Sequence, residues 1–79
     1  MDDSIDLPCS ASQVATARRF VDGQLTDCPL VDLAVLIVSE LATNLVRYRP
    51  ARNGGKFMVR VQTEPGWACI EVSTDRWED

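Results

Sequence analysis

Two polar side chains, Glu40 and Asn44, lie one helical turn apart inside the most apolar stretch of the sequence. A carboxylate at such a position can orient or deprotonate a nucleophile. A carboxamide oxygen can contribute to Mg²⁺ coordination when phosphate oxygens and waters supply the other ligands. Burying either group without partners would cost on the order of a few kcal/mol. The pair therefore requires a hydrated pocket, a metal ion or internal hydrogen bonds.

The stretch that carries this pair, Val31–Tyr48, contains no Gly or Pro, and its length suits one helix of about five turns. On a helical wheel, Glu40 and Asn44 fall between Leu33 and Ile37, which places them on the face expected to be buried. Alternatively, they lie at the boundary of that face, and the periodicity does not separate the two readings. The apolar arc that predicts the buried face comprises Leu33, Ala34, Leu36, Ile37, Val38, Leu41 and Leu45.

The ten residues Ser39–Tyr48, SELATNLVRY, closely resemble the N-box helix of GHKL (Bergerat-fold) ATPases. The nearest match is the branch of anti-sigma-factor serine kinases and related actinobacterial regulators, where the helix typically reads Ser-Glu-Leu-Val-Thr-Asn-Ala-Val-Arg-His. The resemblance implies that Asn44 binds the Mg²⁺ accompanying ATP and that Glu40 is the catalytic base or positions water. Arg47 and Tyr48, where Tyr replaces the family's His, become candidate cofactor-binding residues.

The chain departs from the family pattern after its last strand. There the family places an Asp that hydrogen-bonds the adenine amino group, followed by a glycine-rich turn. Matching residues 70–73 to the family's Val-Glu-Val-Ser puts Thr74 at that position and Asp75 one residue later, so both are candidate cofactor-binding residues. A slip of one residue turns a strand side chain to the opposite face, so Asp75 would reach the pocket only through a bulge. No glycine follows, and the resemblance covers the front half or so of the family's domain.

The resemblance implies a regulatory domain that binds Mg-ATP, with the family activity of a serine/threonine protein kinase. The implied partner is a sigma factor or a regulator of the anti-anti-sigma type. We do not expect a competent kinase from this chain alone, because phosphoryl transfer depends on positioned charge around the triphosphate and no glycine-rich phosphate loop is visible. Two alternatives remain open. In the first, the chain is a degenerate domain that no longer binds nucleotide and associates with a partner or a second copy through an unprotected strand edge. In the second, it is a fragment of a longer product.

Composition narrows the class of protein. A chain of 79 residues predicts one small domain, residues 1–79, and 46% apolar residues are typical of a globular protein. A net charge of −4 with scattered arginines argues against nucleic-acid binding. The three cysteines, Cys9, Cys28 and Cys69, form no CxxC pair and no His is present, so we expect reduced thiols in a cytoplasmic protein. Charged residues within the long helix argue against a membrane span.

The first third of the chain predicts a strand and a helix. Ile5–Leu7 reads as a short edge strand stopped by Pro8, after an acidic start that we expect to fray. The Ser-Ala-Ser-Gln run from Ser10 has the spacing of a capping box. It predicts a helix from Ser10 through about Val21, with Gly23 as the terminator.

The last third predicts a hairpin, with strands Phe57–Gln62 and Trp67–Ser73 around a turn at residues 63–66. Apolar residues alternate along both strands, so one face of the hairpin would cover the helices. The fold class predicted is α+β, a two-layer sandwich with two helices packed on one face of a small antiparallel sheet. By resemblance, this layout is a partial Bergerat fold. The residues expected to face the helices are Phe57, Val59, Val61, Ala68, Ile70 and Val72.

Overall fold

The fold is taken from a computed structural model that describes residues 1–48 and 55–74. The elements follow in the order β1 (Asp2–Pro8), α1 (Ser12–Gln24), α2 (Val31–Tyr48), β2 (Lys56–Glu64) and β3 (Trp67–Thr74). The strands form one antiparallel sheet with β2 in the centre, in the order β1-β2-β3. The predicted α+β class, with two helices and a small antiparallel sheet, is confirmed.

The N-terminal strand is longer than the sequence predicted. β1 starts at Asp2, which pairs with Gln62, and its register runs to Pro8 opposite Lys56. The amino group of Met1 donates a hydrogen bond to the Thr63 carbonyl at 2.7 Å. The expected fraying of the acidic start is therefore wrong, because pairing with β2 extends to the first residue.

Both predicted ends of α1 are also wrong. The helix begins at Ser12 rather than Ser10, with Ala11 in the N-cap position and no side-chain cap. The Ser10 carbonyl, rather than its hydroxyl, accepts a hydrogen bond from the Gln13 N–H at 2.9 Å. Gly23 continues the helix instead of ending it.

The bounds of α2 match the prediction, but its orientation does not. The helix turns its small side chains, Ala34, Val38 and Ala42, into the core. This lets the backbone approach its neighbours closely and leaves the larger members of the apolar arc outside. The predicted burial is wrong for four of them, whose exposed fractions are Leu33 51%, Leu36 56%, Ile37 44% and Leu41 43%.

The core lies over β1 and β2 and thins out toward β3. On β2, the buried Phe57, Val59 and Val61 alternate with half-buried side chains, as a strand with one covered face requires. They form one cluster with buried residues of both helices. On β3 no residue is fully buried, and Ile70 and Val72 are only half-buried. No helix in the described residues reaches the length and apolarity that a bilayer crossing needs.

Candidate functional site

Glu40 and Asn44 are both exposed on α2. Of the two readings that the periodicity left open, the one that places them on the buried face is wrong, because the helix turns Ala34, Val38 and Ala42 to the core instead. Neither side chain needs an internal partner to offset burial. The structure instead presents a carboxylate and an amide, one turn apart, to solvent and to any ligand that reaches this side of the helix.

Asn44 lines a recess where the last turns of α2 meet β3. Its other lining residues are Leu41, Leu45 and Tyr48 from the helix and Val72 from the strand, and its volume is about 270 Å³. We call this the Asn44 recess. Ligand pockets for drug-sized molecules usually measure roughly 300–1,000 Å³, so this one holds a ring system rather than a whole nucleotide.

The other predicted cofactor-binding residues lie near one end of this recess or outside the described chain. Thr74 is half-buried and ends β3, two residues beyond Val72. Arg47 places its guanidinium carbon 6.0 Å from the centroid of the Tyr48 ring, within the range of a cation–π contact. A positive charge therefore stands beside a residue of the recess. Asp75 falls outside the described residues.

A second and larger depression, which we call the α2–β3 groove, lies along the first half of α2. Its volume is about 780 Å³, and its apolar lining includes Leu33, Ile37, Trp67 and Ile70. Sequence reasoning missed this groove, because it assigned Leu33 and Ile37 to the core. The available signal was the width of the apolar arc, four of whose large side chains are exposed.

The outer edge of β3 borders the groove. β3 pairs with β2 along one side, and on its other side residues 67–73 pair with no strand in the described part of the chain. An unpaired strand edge is a template for another strand. Trp67, Ala68 and Ile70 of β3 line the groove, so its apolar surface lies beside a strand edge whose backbone groups can donate and accept hydrogen bonds.

The three cysteines differ in their exposure to solvent. Cys9 is buried, Cys28 is half-buried and Cys69 is exposed. Burial raises the pKa of the Cys9 thiol, whose Sγ lies 3.8 Å from the Leu45 carbonyl oxygen. Within residues 1–48 and 55–74, no group of three or more potential ligands from His, Cys, Asp and Glu is placed to hold a metal ion.

No family model matches the chain, and the comparisons with curated proteins and with solved structures found no match. The family resemblance accordingly rests on the residues of Ser39–Tyr48 and on the order of the elements around them.

Proposed function

We propose that this chain is a regulatory domain of the GHKL type that binds Mg-ATP at the Asn44 recess. The observation that carries the proposal is the position of Asn44. It is exposed on a helix whose sequence resembles the N-box, and it lines a recess together with Val72 of β3. The element order, with a strand and a helix before this helix and a hairpin after it, supports the same family layout.

The donor set fits a metal ion that arrives with phosphate. A single amide is a weak ligand for Mg²⁺, which prefers octahedral oxygen coordination and keeps several waters. Asn44 would supply one oxygen and the nucleotide's phosphates and water the rest, so no cluster of protein ligands is required. The metal would neutralise phosphate charge. Glu40 is exposed one turn earlier and does not line the recess, and it would orient water or a hydroxyl group.

The remaining residues would contact either the adenine ring or the phosphates of the nucleotide. Leu41, Tyr48 and Val72 give the recess an apolar and aromatic lining that suits a purine ring. Thr74, at the end of β3, offers a hydroxyl where the family uses a carboxylate for the adenine amino group. Arg47, beside Tyr48, adds a positive charge for the phosphates.

We propose binding and regulation of a protein partner, rather than phosphoryl transfer, as the function of this chain. Catalysis requires the triphosphate to be held by several fixed donors, and the described residues include no glycine-rich loop around the recess. A partner of the sigma-factor or anti-anti-sigma type would contact the exposed face of α2 and so distinguish the nucleotide-bound chain from the nucleotide-free chain.

Calorimetric titration of the chain with ATP, with and without Mg²⁺, tests this proposal. Asn44→Ala should weaken Mg²⁺-dependent binding at least tenfold. Thr43→Ala is the matched control, since Thr43 is the exposed neighbour of Asn44 but does not line the recess. Equal affinity for the wild type and Asn44→Ala would remove Asn44 from the site, and absence of binding to the wild type would reject the proposal.

A second candidate function is association without nucleotide. The open edge of β3 and the exposed Leu33 and Ile37 favour it, because both features are typical of surfaces that bind protein. A domain of this kind would show no change of stability with nucleotide.

A further inference from the structure

We propose that two copies of this chain associate through the α2–β3 groove and the outer edge of β3, about a two-fold axis that passes near Ile70 and Ile37. The two sheets would then join into one sheet of six strands, with β3 of each copy in the centre. This assembly goes beyond nucleotide binding, and it shares Leu41 and Val72 with the Asn44 recess but does not depend on Asn44.

The residues of β3 are suited to pair with their own copy. Ala68, Ile70 and Val72 alternate along the strand, and Ile70 is the middle one. In an antiparallel two-fold pairing with Ile70 opposite Ile70, Ala68 of each copy lies across from Val72 of the other. On the opposite face of the sheet, Cys69 then lies across from Glu71. The helix-facing pairs are apolar with apolar, which favours pairing. On the other face, where Trp67 also lies across from Ser73, no like charges are opposed.

Neighbouring registers are less favourable. A shift by one residue would turn the second copy over, so that its helix-facing side chains lie on the opposite face of the joined sheet. A shift by two in one direction sets Glu71 against Glu71, and like charges directly opposite each other are destabilising. A shift by two in the other direction places Val72 across from Gly66 of the turn and loses an apolar pair. The register centred on Ile70 is the one that keeps every apolar pair.

Apolar residues of α2 are also spaced evenly on both sides of a central residue. Leu33, Ile37 and Leu41 are spaced one turn apart with Ile37 in the middle, and Ile37 lines the groove together with Ile70. A two-fold axis near Ile70 therefore sets the two α2 helices antiparallel, with Leu33 of one copy facing Leu41 of the other. Since Leu41 also lines the Asn44 recess, nucleotide and a second copy would compete for this end of the helix.

Charge supports the same arrangement. Asp27 at the rim of the groove and Asp32 in the first turn make the start of α2 acidic, and Arg47 makes its last turn basic. Antiparallel helices bring the acidic start of one copy toward the basic end of the other. Attraction between the ends offsets part of the repulsion between two chains of net charge −4.

The exposed apolar area is of the size that a dimer uses. Five large side chains around the groove are each about half exposed, namely Leu30, Leu33, Ile37, Leu41 and Trp67. Together they expose roughly 400–500 Å², near the upper end for a patch on a monomer. With the strand edge and the polar rim added, each copy approaches the ~800 Å² that a standard-size interface buries. An area of this size, centred on a self-complementary strand, favours a second copy as the occupant.

Sedimentation equilibrium of the nucleotide-free chain from micromolar to millimolar concentration tests this inference. The mass of the wild type should rise toward that of a dimer, and Ile37→Asp should remain monomeric with an unchanged circular dichroism spectrum. Leu36→Asp is the matched control: Leu36 is the exposed neighbour of Ile37 but does not line the groove, so this variant should dimerise. A monomeric wild type, or equal association of both variants, would overturn the inference.

Disulfide cross-linking tests the register of the two paired β3 strands separately. In a Cys69→Ser background, Ile70→Cys should oxidise to a covalent dimer, because the axis places residue 70 opposite its own copy. Failure to cross-link in a chain that sediments as a dimer would overturn the proposed axis. Asn44→Ala should dimerise like the wild type, so loss of nucleotide binding and loss of pairing are distinguishable.

Discussion

Asn44 and Val72 line the same recess, although one belongs to the long helix and the other to the last described strand. The last turns of α2 therefore lie beside the end of β3, and this strand ends at Thr74. The motif that resembles the N-box and the strand position where its family binds adenine thus fall on neighbouring elements. The proposed nucleotide site depends on this neighbourhood.

Two glycines should respond in opposite directions to alanine. Gly66 has φ of 95° in the two-residue turn between β2 and β3, a conformation that alanine adopts only with strain, so Gly66→Ala should destabilise by about 1 kcal/mol or more. Gly23 lies within α1 with open space at its Cβ position, so Gly23→Ala should stabilise by about 0.5–1 kcal/mol. Urea denaturation measures both, and changes of the same sign would contradict the assigned backbone conformations.

The three thiols should differ in reactivity in the order Cys69, Cys28, Cys9. Cys69 is exposed and Cys9 is buried, and only a thiolate that reaches solvent reacts with an alkylating reagent. Time-resolved iodoacetamide labelling with mass spectrometry measures the order, and urea should equalise the three rates. Labelling of Cys9 as fast as Cys69 in the native chain would contradict its burial.

The burial of Cys9 should also make the free energy of unfolding depend on pH in the alkaline range. Burial raises the folded-state pKa of the thiol above its usual value of 9.0. The contribution of the neutral thiol to stability is full below the unfolded-state pKa and is lost as the pH rises through the folded-state pKa. Cys9→Ala should therefore flatten the fall in melting temperature above about pH 9, whereas Cys69→Ala should leave it unchanged.

The contacts between Asp2 and Arg60 should make the free energy of unfolding depend on pH in the acid range. The Arg60 guanidinium donates to Asp2 from Nε to Oδ1 at 3.0 Å and from Nη2 to Oδ2 at 2.7 Å. These hydrogen bonds, and next the positive charge, lower the pKa of Asp2 below its usual 3.8. The pair's contribution is present above that value and is lost as the pH falls through the lower folded-state pKa.

The matching experiment compares Asp2→Asn with Asp6→Asn, an exposed carboxylate on the same strand. Asp2→Asn should reduce the loss of stability below pH 4, by a small amount because the pair is half exposed to solvent. Asp6→Asn should leave the acid profile closer to that of the wild type. Identical profiles for the wild type and Asp2→Asn would show that the pair contributes nothing measurable.

Local signals predicted the bounds of α2 and the presence of the hairpin, because an uninterrupted apolar run and a Pro-Gly turn each determine structure within a few residues. They placed the turn at residues 63–66, whereas β2 continues to Glu64 and the turn has two residues. They did not predict which part of the apolar arc meets the core. That choice depends on packing: Ala34, Val38 and Ala42 fit closely, and leave Leu33 and Ile37 beside an open strand edge. The same rotation moved Glu40 and Asn44 from the expected buried face into solvent.

The Asn44 recess could be predicted only in part. The residue types of Ser39–Tyr48 indicated the chemistry of Asn44, but Val72 joins it through tertiary contact between the helix and the strand. No sequence motif predicted the α2–β3 groove, because its residues are separated in sequence and have only their exposure in common.

A thermal melt of the wild type with ATP and Mg²⁺ tests Mg-ATP binding at the Asn44 recess without any substitution. The matched sample contains ATP and a chelator. Ligand at about 100 times its dissociation constant stabilises the folded state by about 2.7 kcal/mol. For a domain of this size, that raises the melting temperature by several degrees. We predict such a rise with Mg-ATP and little or none with the chelator. An unchanged melting temperature in both samples would show that the chain does not bind Mg-ATP.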